Sequence, residues 1–177
     1  LGSLEPYHLT DALIARLAAQ PKLCPQFHIS LQSGCDATLR RMNRHYSSAQ
    51  YADLCARLRA AFPGCALTTD VMVGFPGEDE DEFAQSLAFV QAVGFAKVHI
   101  FAYSRRPGTP AAAAPGQVTA AEKSVRIRRM AAVCGTSREA YIADKCGTLA
   151  EVLLETRGED GRLEGYTPDY LPVFVEA

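Results

Sequence analysis

No apolar run in this chain approaches the ~18 residues that a bilayer-spanning helix requires. The opening Leu1-Gly2-Ser3-Leu4-Glu5-Pro6 has neither a basic start nor an apolar stretch, so it does not read as a secretory signal. No two cysteines are spaced C-x-x-C, although six are present, at 24, 35, 55, 65, 134 and 146. A zinc knuckle or a thioredoxin-type motif therefore does not fit. A disulfide scaffold fits no better, because several of these cysteines fall on apolar faces of expected elements; a reducing, cytoplasmic home is expected. No charge sign dominates: 18 Lys and Arg oppose 20 Asp and Glu, a net charge of −2. That excludes a globally basic nucleic-acid binder but leaves room for a local basic face. No initiator Met is present, so a processed product or a piece of something longer is expected.

What is present is ordinary for a folded domain. Apolar residues make up 48% of the 177 and charged residues 21%, enough apolar side chain to offset ordering entropy. The apolar pattern alternates between strand and helix periods. Helices are expected over Thr10–Gln20, Asp36–Asn43, Ser48–Phe62 and Asp79–Val93, and over Thr119–Lys145 with an interruption near Gly135. Strands are expected over Phe27–Leu31, over Ala66–Val73 (buried on both faces) and over Lys97–Tyr103, with a Pro-, Gly- and Ala-rich loop over 104–115. Beyond Gly147 the pattern changes to short strands at Leu149–Glu155, Arg162–Tyr166 and Leu171–Val175.

Repeated βα units imply a parallel sheet with right-handed crossovers, as a barrel or an open sheet. Some 30 residues at the end are too few to close a β module, so pieces are expected to be missing at both ends. In such folds ligands collect at the carboxyl ends of strands. That rule selects Ser3–Pro6, Gln32–Cys35, Gly74–Glu78 and Tyr103–Thr109. Gln32 and Ser33 can hydrogen-bond a ribose or a carboxylate, although Ser-Gly is equally common turn chemistry. Gly74 and Gly77 permit close approach of a planar ligand. His28 and His99 alternate with apolar residues and read as core histidines. Cys35 has no His fixed near it by the sequence, which argues against a nucleophile. Basic residues cluster at Arg40, Arg41 and Arg44, at Arg105 and Arg106, and along Lys123–Arg129, against an acidic run at Glu78–Glu82. Each cluster reads either as a solvated helix face or as a phosphate contact.

Three segments together are more specific than any of these features. His28-Ile29-Ser30-Leu31-Gln32-Ser33-Gly34-Cys35-Asp36, followed by Leu39-Arg40-Arg41-Met42-Asn43-Arg44, resembles the methylthiotransferase family of radical S-adenosylmethionine enzymes. Thr68-Thr69-Asp70-Val71-Met72-Val73-Gly74-Phe75-Pro76-Gly77-Glu78 and Tyr103-Ser104-Arg105-Arg106-Pro107-Gly108-Thr109-Pro110-Ala111 resemble it in the same order. Ser30, Ser33, Cys35 and the Gly165-Tyr166-Thr167 segment look most like the branch acting on N6-threonylcarbamoyladenosine in tRNA. The dimethylallyl-adenosine branch is the alternative.

The resemblance implies an α/β fold, the C-terminal half of a partial (βα) TIM-like radical SAM barrel over 1–118. A linking helix over 119–147 and the start of a TRAM-like RNA-binding β module over 148–177 would follow. It implies S-adenosylmethionine and two [4Fe–4S] clusters in the parent protein, and a methylthio group added at C2 of an adenosine beside the anticodon. Carried over, Gln32 and Ser33 would touch the ribose or amino-acid part of S-adenosylmethionine. Val73 and the Gly74–Gly77 turn with Pro76 would flank its adenine, and the backbone near Phe101 to Tyr103 would touch the adenine edge. Arg40, Arg41, Arg44, Arg105, Arg106, Lys123, Arg126 and Arg129 would meet phosphates of the tRNA anticodon stem-loop. The C-x-x-x-C-x-x-C motif of such enzymes is absent, so no catalytic or metal-binding residue is expected in this chain, which alone would be inactive. Two other readings fit less well: a metal-free RNA-binding module, and an unrelated βα-barrel enzyme using Cys35 or Glu78.

Overall fold

The computed structural model describes residues 1–176. Its elements run α1 (Asp11–Ala18), β1 (Gln26–His28), α2 (Asp36–Arg41), α3 (Ser48–Ala61), β2 (Ala66–Val73), α4 (Glu80–Val93), β3 (Lys97–Ala102), α5 (Pro110–Ala113) and α6 (Ala120–Lys145). Then come β4 (Leu153–Arg157), β5 (Leu163–Tyr166) and β6 (Pro172–Val175). The first sheet is parallel in the order β1-β2-β3, with His28 opposite Thr68, and Asp70 opposite His99. The last three strands form a separate antiparallel sheet in the order β4-β5-β6.

Local chemistry explains where the helices begin. Thr10 accepts a hydrogen bond from the Leu13 N–H, and Asp79 from the Glu82 N–H. Ser47 with Gln50 and Thr119 with Glu122 close reciprocal capping boxes at the starts of α3 and α6. Gly94 ends α4 with φ 64°, a left-handed turn that glycine adopts without steric cost. The core lies between the first sheet and α3, α4 and α6. Phe27, Leu31, Tyr51, Leu58, Leu67, Val71, Phe83, Val90 and Met130 are buried there. Tyr51 is buried because its hydroxyl is satisfied: it donates to the Ile29 carbonyl at 2.8 Å.

Four expectations change. β1 is shorter than Phe27–Leu31, because from Ile29 onward pairing passes to isolated bridges, Leu4 with Ile29 and Gln32 with Val71. The first residues run parallel beside β1, with the His28 N–H donating to Leu1 O and the Leu4 N–H to His28 O. The last sheet's first strand starts at Leu153 rather than Leu149, which is fully exposed. The 104–115 loop contains the one-turn helix α5, capped by Thr109 with Pro110 at its first position. Finally, α6 is continuous through Gly135. Met130, Ile127 and Cys134 pack on the core and hold the helix across the glycine.

No atom lies within 4 Å of the position a Cβ would take at Gly135. Gly135→Ala is therefore expected to stabilise the chain by about 0.5–1 kcal/mol. That corresponds to a rise of about 1–4 °C in melting temperature, readable by circular dichroism.

Candidate cofactor and RNA site at the strand ends

The carboxyl ends of β1, β2 and β3 meet at one rim, where each continues into a loop. At the end of β1, Gln32 sits at φ 67°, a left-handed conformation that costs a non-glycine residue about 1–2 kcal/mol. It is held there from both sides: its N–H donates to Asp70 O and its carbonyl accepts from the Met72 N–H. The Ser33 hydroxyl accepts from the Cys35 N–H at 3.2 Å and is buried. The Gly34 N–H donates to Ser86 Oγ, and a Cβ at Gly34 would strike Phe89 at 2.6 Å. The turn chemistry of Ser33-Gly34 is therefore realised.

The turn after β2 is clamped by a buried ion pair. Arg126 Nη1 from α6 lies 2.7 Å from Glu78 Oε1, with side-chain exposures of 8% and 2%. Glu78 Oε1 also accepts from the Gly74 N–H at 2.8 Å, and Arg126 Nη1 donates to the Glu78 carbonyl as well. Burial pushes the Glu78 carboxyl above its usual range, against the opposing pull of the Gly74 N–H and Arg126. The Arg126 guanidinium also lies 5.4 Å from the Phe83 ring centroid. One turn earlier on α6, the Lys123 stem passes over Gly74, where a Cβ would meet Lys123 Cγ at 2.5 Å. Lys123 Nζ donates to the Tyr103 carbonyl at the end of β3. The Tyr103 hydroxyl is buried with no hydrogen-bond partner, and its ring packs edge-on against Phe75.

These contacts sort the residues expected here. Gln32 is half-buried at the end of β1, and the Tyr103 hydroxyl is buried without a partner. Val73 points into the core, and its carbonyl accepts from the Tyr103 N–H. Pro76 is buried, and its carbonyl accepts from Arg41 Nε. The space in front of Gly74 is filled by Lys123 rather than open to a planar ligand. Among the basic residues, Arg126 is withdrawn as a phosphate contact because it is buried against Glu78. Arg41 pairs with Glu82, Arg44 with Glu5 and Arg129 with Glu80, all near the surface. Arg41's guanidinium hydrogen bonds hold the Glu82 carboxyl below its usual range. Arg40 and Arg106 are exposed, and Arg105 donates to the Ala112 carbonyl.

The sheet face away from α3, α4 and α6 was not expected to be polar. Alternation puts His28, Ser30 and Gln32, then Thr68, Asp70 and Met72, then Lys97, His99 and Phe101 on that face. His28 is half-buried, with Nδ1 hydrogen-bonded to Thr68 Oγ1 at 3.0 Å and Nε2 3.4 Å from Asp70 Oδ2. His99 is exposed. Neither is a core histidine, and β2 is not fully buried on both faces. A closed barrel fills its interior with branched apolar side chains; this face carries ionisable ones. The polar Thr68-x-Asp70 alternation was the legible signal.

The residues do not fit an iron–sulfur cluster. No group of three or more His, Cys, Asp or Glu able to hold a metal occurs among the described residues. Cys55 and Cys65 are buried core residues, as expected, with thiols pushed up by burial, Cys55 to about 12. No helix is long and apolar enough to cross a membrane among the described residues.

Comparison with known proteins extends this geometry. A model of the radical SAM superfamily matches residues 3–90. A tRNA-2-methylthio-N(6)-dimethylallyladenosine synthase of Acidothermus cellulolyticus is 43% identical over 94% of this chain and 35% of its own length. Threonylcarbamoyladenosine tRNA methylthiotransferase MtaB of Bacillus subtilis is 36% identical over 98% of this chain and 39% of its own. The solved radical SAM enzyme coproporphyrinogen III oxidase of Escherichia coli superposes with a TM-score of 0.64 at 15% identity, over 94% of this chain and 44% of that one. That likeness concerns the fold, a part of a TIM-like barrel. The chain belongs to the radical SAM superfamily. Within it, the chain is a fragment of the methylthiotransferase kind, spanning between a third and two fifths of the curated relatives it matches. Relatives bearing both branch names match.

Arg126→Met leaves Glu78 buried and unpaired, and is expected to cost about 3–5 kcal/mol in urea unfolding at pH 7. Glu78→Gln with Arg126→Met should recover most of that loss. A raised folded pKa favours the native state as pH falls, so the Arg126→Met deficit should shrink toward pH 5. After anaerobic incubation with iron and sulfide and desalting, the 177-residue chain should retain no stoichiometric iron. Cluster absorbance lost on cysteine substitution would contradict this.

Proposed function

We propose that this chain is the substrate-facing part of an enzyme that attaches a methylthio group to C2 of a modified adenosine in tRNA. The relatives at 36–43% identity over nearly the whole chain carry this reading. Gln32 at the end of β1, the unpartnered Tyr103 hydroxyl and the exposed Arg40, Arg105 and Arg106 support it. In such an enzyme S-adenosylmethionine supplies a 5′-deoxyadenosyl radical and a methyl group. Gln32 would orient the cofactor's ribose or amino-acid end, and the Tyr103 hydroxyl would border its adenine. The Glu78–Arg126 clamp would hold the Gly74–Glu78 turn rigid behind it. The parent protein would use two [4Fe–4S] clusters and act in the cytoplasm. Arg40, Arg105 and Arg106 would position the anticodon stem-loop through its phosphates, and residues 148–177 would form the start of a TRAM-like RNA-binding module.

The target we favour is N6-threonylcarbamoyladenosine, on Ser33-Gly34-Cys35 and Gly165-Tyr166-Thr167. The dimethylallyl-adenosine alternative draws on the higher identity of the relative with that name. Expressing the full-length gene in bacteria lacking their own tRNA methylthiotransferases, then digesting tRNA for mass spectrometry, separates the two. The 2-methylthio derivative of threonylcarbamoyladenosine is expected. The dimethylallyl derivative would move the chain to the other branch, and neither would overturn the reading.

A further inference from the structure

The antiparallel sheet carries a strained residue outside the strand-end rim. Tyr170 sits at φ 65°, a conformation that is an outlier for a bulky side chain. The loop that forces it is anchored several times over. The Tyr170 N–H donates to Thr167 O, the Thr167 N–H to Leu171 O, and the Leu171 N–H to Thr167 Oγ1 at 3.0 Å. Asp169 between them accepts from Tyr141 and Thr167 hydroxyls and lies 2.7 Å from Lys145 Nζ at the end of α6. The product of this strain is exposed: Tyr170 is 64% accessible and Tyr166 beside it 44%, with ring centroids 5.8 Å apart. Backbone strain held in place by surrounding contacts is characteristic of binding sites.

The two rings border a cavity of about 940 Å³ between this sheet and the polar face of the first one. The facing wall carries His99, Lys97 and Arg138, able to donate hydrogen bonds, and His28, whose ring nitrogens face Thr68 and Asp70. Arg138 is occupied only by a 3.4 Å contact to the Ala96 carbonyl. The wall opposite the tyrosines is mostly polar, with Gln26, Thr68, Lys97, His99 and Arg138, which suits an apolar peptide poorly. Glu151 and Glu155, on the tyrosine side, repel phosphate groups. The combination suits a neutral planar group with acceptor edges.

We propose that Tyr166 and Tyr170 form a stacking platform for an unpaired nucleobase of RNA, whose edge faces the histidines and Lys97 across the cleft. This deepens the reading above, since it rests on RNA being the partner. The platform selects single-stranded over duplex RNA, because only an unstacked base exposes its faces.

The test uses the 177-residue chain and a fluorescein-labelled 12-nucleotide RNA, alone or annealed to its complement, read by anisotropy. Tighter binding of the single strand is expected. Tyr166→Ala with Tyr170→Ala should weaken it at least about tenfold, the loss expected of base–aromatic stacking, with the salt dependence unchanged. Phe at both positions should bind like the parent chain. Tyr170→Gly, which removes ring and strain together, should weaken binding without lowering the melting temperature, separating loss of the platform from loss of fold. Binding that ignores both tyrosines, a preference for duplex, no RNA binding, or tyrosines that instead hold two copies together in sedimentation would each overturn the platform. None of these touches the methylthiotransferase reading, which stands or falls on the nucleoside analysis.

Discussion

The buried Glu78–Arg126 pair is the contact on which the rim depends. Two charges out of water are costly unless each finds its partner and its remaining hydrogen bonds, and here they do. Glu78 takes the Gly74 N–H as well as Arg126, and Arg126 reaches the Glu78 carbonyl and the Phe83 ring. The pair ties the turn after β2 to α6. Lys123 on the same helix ties the end of β3 to that turn. The long helix is therefore a brace across the strand ends as well as a link to the second sheet. At its far end, Lys145 and Tyr141 grip Asp169 in the loop before β6.

This brace gives the chain two distinct surfaces. One is the rim, with Gln32 held in a strained conformation and exposed arginines beside it. The other is the polar sheet face, whose His28–Thr68–Asp70 network lies where a closed barrel would place packed aliphatic side chains. A face of this kind suits a polar ligand in the interior rather than a dry core. Strain marks both surfaces, at Gln32 in one and at Tyr170 in the other.

Much of the fold was legible because its signals are local. Thr10, Ser47, Asp79 and Thr119 announce helix starts through bonds to N–H groups three residues on. Apolar spacing located α3, β2 and α4 within a residue or so. Gly135 misled because its helix propensity is poor, while the packing of Met130 and Cys134 that overrides it comes from distant parts of the chain. The histidines misled because alternation tells which residues share a face, not which face is covered. At the candidate site, the Tyr103 backbone, expected at the adenine edge, is taken up by Val73 and Lys123, and Val73 and Pro76 serve the fold.

By itself the sequence determined the succession of βα units, the helix boundaries and the family motifs, all written in residues close together along the chain. Tertiary structure alone decided which charges remain free. Arg126, Arg106 and Arg40 are indistinguishable as residue types, yet Arg126 is buried against a carboxylate 48 positions away, while Arg40 and Arg106 face solvent. Charge pairing depends on distance through space and on loss of water, and neither exists until the helix has packed across the sheet. The same holds for the Tyr170 loop, whose Asp169 is gripped by Lys145 and Tyr141 of a helix that ends before the second sheet begins.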